Sequence, residues 1–238
     1  MDLGEIFGDA FVYPLHNIKS LVLYVILGII GAIIGGASVI SILGALGTTG
    51  WTEFAFSGLS IVGVIVFILI LFLIGGYTLD IIKFGIERRP DGPGIDIGRQ
   101  ISNTIKLIVV DVVYYVVPAI IVFVLGLFLR DWLITIISII IFILFALANF
   151  MAKCRLAKTD SMGEALAIGE AIGDISRVGL FKIIATIIVM LIIAFVAAII
   201  IAWIGNLNNT IGSILLGIFA VYFLFFYNRA IGLLYSDA

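Results

Sequence analysis

The chain has 238 residues, 63% of them hydrophobic and 12% charged, with a net charge of −2, one cysteine and one histidine. A charged fraction about half that of a soluble domain, with a mean hydropathy of +1.35, excludes water as the main solvent and marks an integral membrane protein. The same composition excludes a nucleic-acid partner, which needs a basic surface, a disulfide framework, and the His/Cys clusters of zinc or haem sites, so no metal and no cofactor is expected.

Uninterrupted apolar runs of about twenty residues satisfy their own backbone hydrogen bonds as helices, so the expected fold class is an all-α integral membrane protein. The start, MDLGEIFGD, is acidic where a cleavable signal would be basic, and no signal peptide is expected. Segment 3–15 has helical periodicity, with Leu3, Ile6, Phe7, Ala10 and Phe11 on one face and Asp2, Glu5 and Asp9 on the other, and is read as an amphipathic interfacial helix. The first span covers 21–46, and Gly28, Gly31 and Gly35 on one of its faces read as a small-residue packing contact. The second covers 54–76. Between it and the third lies FGIERRPDGPGIDIG, in which Pro90, Gly92, Pro93 and Gly94 forbid a continuous helix.

Segment 95–105, with Ile97, Ile101 and Ile105 spaced by four, is read as a second interfacial helix. Spans at 107–129 and 133–152 follow, joined by the turn RDW, and Pro118 is expected to kink the former. A third interfacial helix, 162–175, opens on a capping box of Ser161 and Glu164 and carries the stripe Ala165, Ile168, Ile172 and Ile175. The last spans are 183–204 and 211–227. The whole is one polytopic domain, 1–238, of six spans. Each odd-numbered span is preceded by such a segment and a lysine, Lys19, Lys106 or Lys182, which reads either as three repeated two-span units or as the ordinary placement of long loops on a bilayer.

Short loops rich in Lys and Arg stay cytoplasmic, and twelve of the thirteen cations fall on one side, Arg130 being the exception. Trp51, Trp132 and Trp203 collect at the opposite boundary. Both termini and the proline-glycine loop are therefore expected in the cytoplasm of a multi-pass cell-membrane protein. Asn208-Asn209-Thr210 matches a glycosylation sequon and reads as a chance occurrence in a very short loop.

An ionisable group inside a span is a functional candidate because its burial is costly, and Asp111 is the one found there. Asn149, Tyr77, Asp80, Tyr115 and Asn228 fall at comparable depth and complete a candidate polar cluster near the cytoplasmic side, with Lys106 or Lys83 the expected counter-ion. The midplane holds almost only aliphatic and small residues, unlike that of a coupled carrier. No nucleophile with a partnered base, H-E-x-x-H motif or phosphate-binding glycine loop occurs, so an enzyme is not expected. Cys154 is juxtamembrane, and reads as an inert thiol ahead of an acylation site.

The stretches DAFVYPLHNIKSL, GYTLDIIKFG, PDGPGID, DVVYYVVPAII, RLAKTDSMGEALAIGEAIGDI and AIGLLY resemble the archaeal polytopic membrane proteins grouped as domain of unknown function 4013, common in methanogens. PGID departs from the E-L-P-x-F-x-D pattern usual in that loop. The resemblance implies membrane residence in an archaeal cell and carries over no functional residue. Two readings follow: a non-catalytic membrane module that docks membrane or cytoplasmic proteins or organises lipid at the cytoplasmic leaflet, or a permease or channel with a polar cytoplasmic vestibule. The lipid bilayer is a partner in both, and the sequence sets no oligomeric state.

Overall fold

The computed structural model describes the backbone of residues 1–46 and 51–237, and side chains for all of these except 35–46, 51–60 and 209–210. The surroundings of Gly35 and the side chains of Trp51 and of the sequon's Asn209 and Thr210, singled out above, lie outside what is described.

Among the described residues the fold is all-helical: α1 (Leu3–His16), α2 (Ile18–Leu46), α3 (Trp51–Ile86), α4 (Ile97–Gly126), α5 (Asp131–Thr159), α6 (Met162–Ala165), α7 (Ile168–Val178), α8 (Leu180–Leu207) and α9 (Asn209–Tyr235). Among the described residues five helices are long and apolar enough to cross a membrane, and a sixth crossing is counted when α1 and the part of α2 whose side chains are described, Ile18–Ile34, bent by 75° to one another, are taken together. This is a multi-pass membrane protein.

The helices overrun the apolar stretches that announce them. α3 continues past Gly76 to Ile86, α5 past Ala152 to Thr159 and α9 past Tyr227 to Tyr235. Hydropathy ends where charges begin, but the backbone hydrogen-bond ladder does not, because these charged turns are covered by neighbouring helices. Segment 95–105 is corrected for a similar reason. It forms no separate interfacial helix; from Ile97 onward it is the first turns of α4, capped by Asp96, whose Oδ1 accepts from Arg99 N–H at 2.9 Å. Segment 162–175 is split into α6 and α7. Ser161 caps α6 by accepting from Glu164 N–H at 3.4 Å, but the Glu164 side chain turns to Arg155 and leaves the box half closed. The complete box lies at α1, between Asp2 and Glu5. α4 runs through Pro118 as one helix.

Sequential spans pack as hairpins, α2 on α3, α4 on α5 and α8 on α9, with α3 and α9 crossing at the centre. Their backbones touch there: a Cβ on Gly232 would lie 2.3 Å from the Ile82 carbonyl oxygen, and one on Gly85 would lie 2.9 Å from the Gly232 Cα. Gly28 and Gly31 face Val221 and Ile70, as packing glycines do. The pre-span segments follow one rule. α1 packs on α9, the start of α4 on α3, and α7 on α5, so each lies against the second span of another hairpin.

The buried core gathers at the end where α3, α5 and α9 finish. One cluster joins Ile6, Met151, Leu156, Ile183 and Leu234, and a second stacks Tyr24 on Tyr77 at 4.3 Å beside Phe225. Toward the other end no residue in 119–144 or 191–208 is buried, although α8 and α9 still meet through Gly205 and Gly212 beside their connection.

Candidate functional site

Three ion pairs fasten the pre-span segments to the spans. Arg229, only 1% exposed, donates from Nε to Asp9 Oδ1 at 2.6 Å and from Nη1 to the carbonyls of Arg89 and Phe84 at 2.6 and 2.9 Å. Its guanidinium also lies over the Tyr13 ring. Asp174, equally buried, accepts from Arg155 at 3.1 Å, Arg177 at 2.8 Å and the Tyr235 hydroxyl at 2.5 Å. Asp80 accepts from Arg99 Nε at 3.1 Å and Asn103 Nδ2 at 3.0 Å. These groups are paired and hydrogen-bonded, which is the condition for burying charge, and they read as structural fasteners.

Asp80 and Tyr77 therefore leave the cluster expected from sequence depth. Asp80 is committed to the α3–α4 fastener, and Tyr77 points into the aromatic core, its hydroxyl donating to Pro93 O at 3.2 Å. That bond, with Asn17 Nδ2 donating to Pro90 O at 3.3 Å and Arg229 to Arg89 O, straps the proline-glycine loop over the bundle end. On this exposed loop the Arg89 side chain, hydrogen-bonded to Asp91 at 2.6 Å, holds that carboxyl below the usual carboxylate range.

The remaining four residues converge. Asp111 and Tyr115 are one turn apart on α4, Asn149 and Lys153 one turn apart on α5, and Asn228 comes from α9; together with Thr78 of α3 they line a cavity of about 250 Å³. Asp111 Oδ1 accepts from Asn149 Nδ2 at 2.7 Å and pairs with Lys153 Nζ, also at 2.7 Å. Neither expected counter-ion meets Asp111: Lys106 turns to Asp160 at 2.5 Å and Lys83 lies beside Asp80 and Arg99, while Lys153, four residues beyond Asn149, shares the face that looks at Asp111. Lys153 reads in sequence as a loop cation, and the signal that places it is this i, i+4 spacing once α5 is known to continue to Thr159.

Among the described residues four buried polar side-chain atoms have no hydrogen-bond partner, the Tyr13 and Tyr24 hydroxyls, Gln100 Nε2 and Asn149 Oδ1, and of these only Asn149 lines the cavity. Asn149 is 6% exposed, and its Oδ1 has no hydrogen-bond partner in the structure. The contact of its amide nitrogen with a carboxylate fixes which way the amide points, so the orphan is the acceptor. Asp111, by contrast, has 37% of its side chain exposed and retains access to the cavity. Below the polar chamber lies an apolar groove of about 310 Å³ between α5, α8 and α9, and the two share Ala146, Phe150 and Tyr227 as a common wall.

Cys154, on the same helix α5, is fully buried and has no access to an acylating partner. Asn208, the sequon's first residue, caps α9 by accepting from Ile211 N–H at 3.1 Å. Among the described residues no group of three His, Cys, Asp or Glu side chains could hold a metal ion.

A family model described as a protein of unknown function, DUF4013, matches residues 59–206, which is more than half of the chain and includes the α4–α5 face of the cavity. No curated protein and no solved structure matches the chain.

Proposed function

The chain belongs to the DUF4013 family of proteins of unknown function, and from that premise we propose that it is a non-catalytic membrane module that organises lipid at the cytoplasmic leaflet. One observation carries the reading: the molecule is closed at its charged end by ion pairs that each have at least one buried member, while its other half leaves large apolar side chains uncovered on every helix described there. Phe123, Phe195 and Trp203 are examples, each at least 64% exposed. Surface of this kind is satisfied by hydrocarbon, and a fastened end beside it gives bilayer chains a fixed wall to order against.

The cation asymmetry supports an orientation with both termini and the charged end in the cytoplasm. The faces of α1 and α7 support an amphipathic role for them at that surface, where a cytoplasmic protein partner would dock. Residence in an archaeal cell membrane is what the family resemblance supports.

The permease reading needs a polar route across the midplane. The cavity around Asp111 would serve as its vestibule, but beyond it the described spans are mostly apolar, and the hydroxyls of Thr135 and Ser138 on α5 bond to their own helix backbone.

Two measurements on reconstituted vesicles test the proposal. Spin-labelled phospholipids should show a motionally restricted population in the presence of the protein, and vesicles should remain as tight to ions and small polar solutes as protein-free controls. Protein-dependent flux would replace the reading with the permease. Cysteines placed at Gly92 and Gly163 should be protected from an impermeant reagent applied outside cells; their labelling would reverse the orientation.

A further inference from the structure

We propose that the cavity between α3, α4, α5 and α9 is a headgroup site for a phospholipid bearing a hydrogen-bond donor, with one of its chains lying in the adjoining groove between α5, α8 and α9. The inference deepens the lipid-organising reading and rests on it. It starts from the orphaned acceptor. A buried carbonyl oxygen without a donor keeps the desolvation penalty of an unmade hydrogen bond, and Asn149 holds its Oδ1 in that condition while its nitrogen is tied to Asp111. A ligand N–H or O–H removes the penalty, and a ligand without one does not.

The neighbouring groups specify the rest of the head. Lys153 Nζ lies 2.7 Å from Asp111 Oδ1 and is 32% exposed, so it can meet a phosphate without leaving its carboxylate. Asp111 sits beside Asn149 and adds a negative charge where a ligand ammonium would come to rest. An acceptor, a carboxylate and an ammonium within one cavity of about 250 Å³ match a zwitterion, phosphate toward Lys153 and primary ammonium toward Asn149. A phosphoethanolamine head has this order of charges.

The chain follows from the second cavity. The polar chamber and the apolar groove meet along Ala146, Phe150 and Tyr227, and the groove's other walls, among them Ile187, Met190 and Phe223, are uncharged. α5 and α8 leave this groove between them because α8 packs on α9 and α7 and makes no extensive contact with α5. A molecule that is polar at one end and hydrocarbon at the other fills both spaces. A soluble phosphate ester fills only the first, and water alone would satisfy Asn149 without using the groove.

The test uses the full chain in detergent and native mass spectrometry with two phospholipids of identical chains, one phosphoethanolamine-headed and one phosphocholine-headed. The quaternary ammonium of the second has no N–H. The wild type should retain the first over the second by on the order of tenfold, the factor set by leaving a buried acceptor unpaired. Asn149→Leu should bring that ratio to about one, while Ala194→Trp, which fills the groove, should lower retention of both lipids together. Glycerophosphoethanolamine, the head without chains, should not displace the bound lipid at equal concentration.

A wild-type ratio near one, or a preference that survives Asn149→Leu, overturns the headgroup assignment and leaves the lipid-organising reading standing. Retention of neither lipid overturns both. Displacement by the chainless head overturns the lipid part in favour of a soluble ligand. If Asn149→Leu fails to give a cooperative melt, the wild-type ratio decides by itself.

Discussion

The two halves of this molecule are built from nearly the same residues and behave differently. Where α3, α5 and α9 end, isoleucine, leucine and alanine are buried around charged pairs; where α4 ends, α5 begins and α8 ends, the same residue types lie open, with nothing in 119–144 or 191–208 buried. The difference teaches that in hydrocarbon an apolar side chain does not by itself bring helices together, since lipid solvates it as well as protein does. Helices close where something else draws them: a glycine that lets backbones touch, or a charge that needs its partner.

The largest effect should therefore come from removing a fastener. Arg229→Ala removes four hydrogen bonds at the α1–α3–α9 junction; Asp9, 40% exposed, can rehydrate, so the loss comes chiefly from the Phe84 and Arg89 carbonyls left without their charged donor, at about 1.5–3 kcal/mol each. A thermal melt in detergent should show it as the greatest drop among the variants named here. Next is Gly76→Ala, whose new methyl would sit 1.8 Å from the Gln100 carbonyl oxygen and force α3 and α4 apart, at about 1–3 kcal/mol. A melt equal to wild type would mean that the closed half is not held by backbone contact.

Asp111→Asn marks the border between the halves. The amide keeps a hydrogen bond but loses the charge facing Lys153, and because both groups are partly exposed the cost should be about 1 kcal/mol. A loss matching that of Arg229→Ala would make the cavity a fastener and not an open site. In the open half Ile200→Ala, a side chain 52% exposed, should stay within about 0.5 kcal/mol of wild type; a loss of several times that would reveal a neighbour covering it. The smallest effect belongs to the loop. The carboxyl of Asp91 is held low by Arg89, so its contribution is complete above the ordinary aspartate pKa of about 4 and disappears as pH falls through the depressed value. The pair is fully exposed, and Asp91→Asn should leave the melting midpoint at neutral pH unmoved.

Particular residues show how far the chain could be read without its structure. The apolar runs announced the helices because a bilayer admits no other use of them, and depth along the spans already grouped Asp111 with Tyr115, Asn149 and Asn228. What hydropathy could not register was helix that continues in charged sequence. Lys153 and Arg155 fall beyond the apolar run of α5, so one side of the cavity and one of the three fasteners were read as loop. Depth along a span also failed to separate Asp80 from Asp111, since the two differ not in how far they lie from the surface but in whether Arg99 and Asn103 reach them.

The sequence by itself determined that this is a helical, multi-pass membrane protein, because the solvent imposes that answer on any chain with such long apolar runs. It also determined where the helices are interrupted, through Pro90, Gly92 and Pro93, whose backbone chemistry needs no partner to act. Which charged groups became fasteners and which were left around a cavity was decided only by tertiary structure. Burial, the direction of a helix face and the meeting of α3 with α9 at Gly85 and Gly232 are properties of pairs of helices, and a carboxylate has the same residue code whether an arginine closes over it or an asparagine leaves it open.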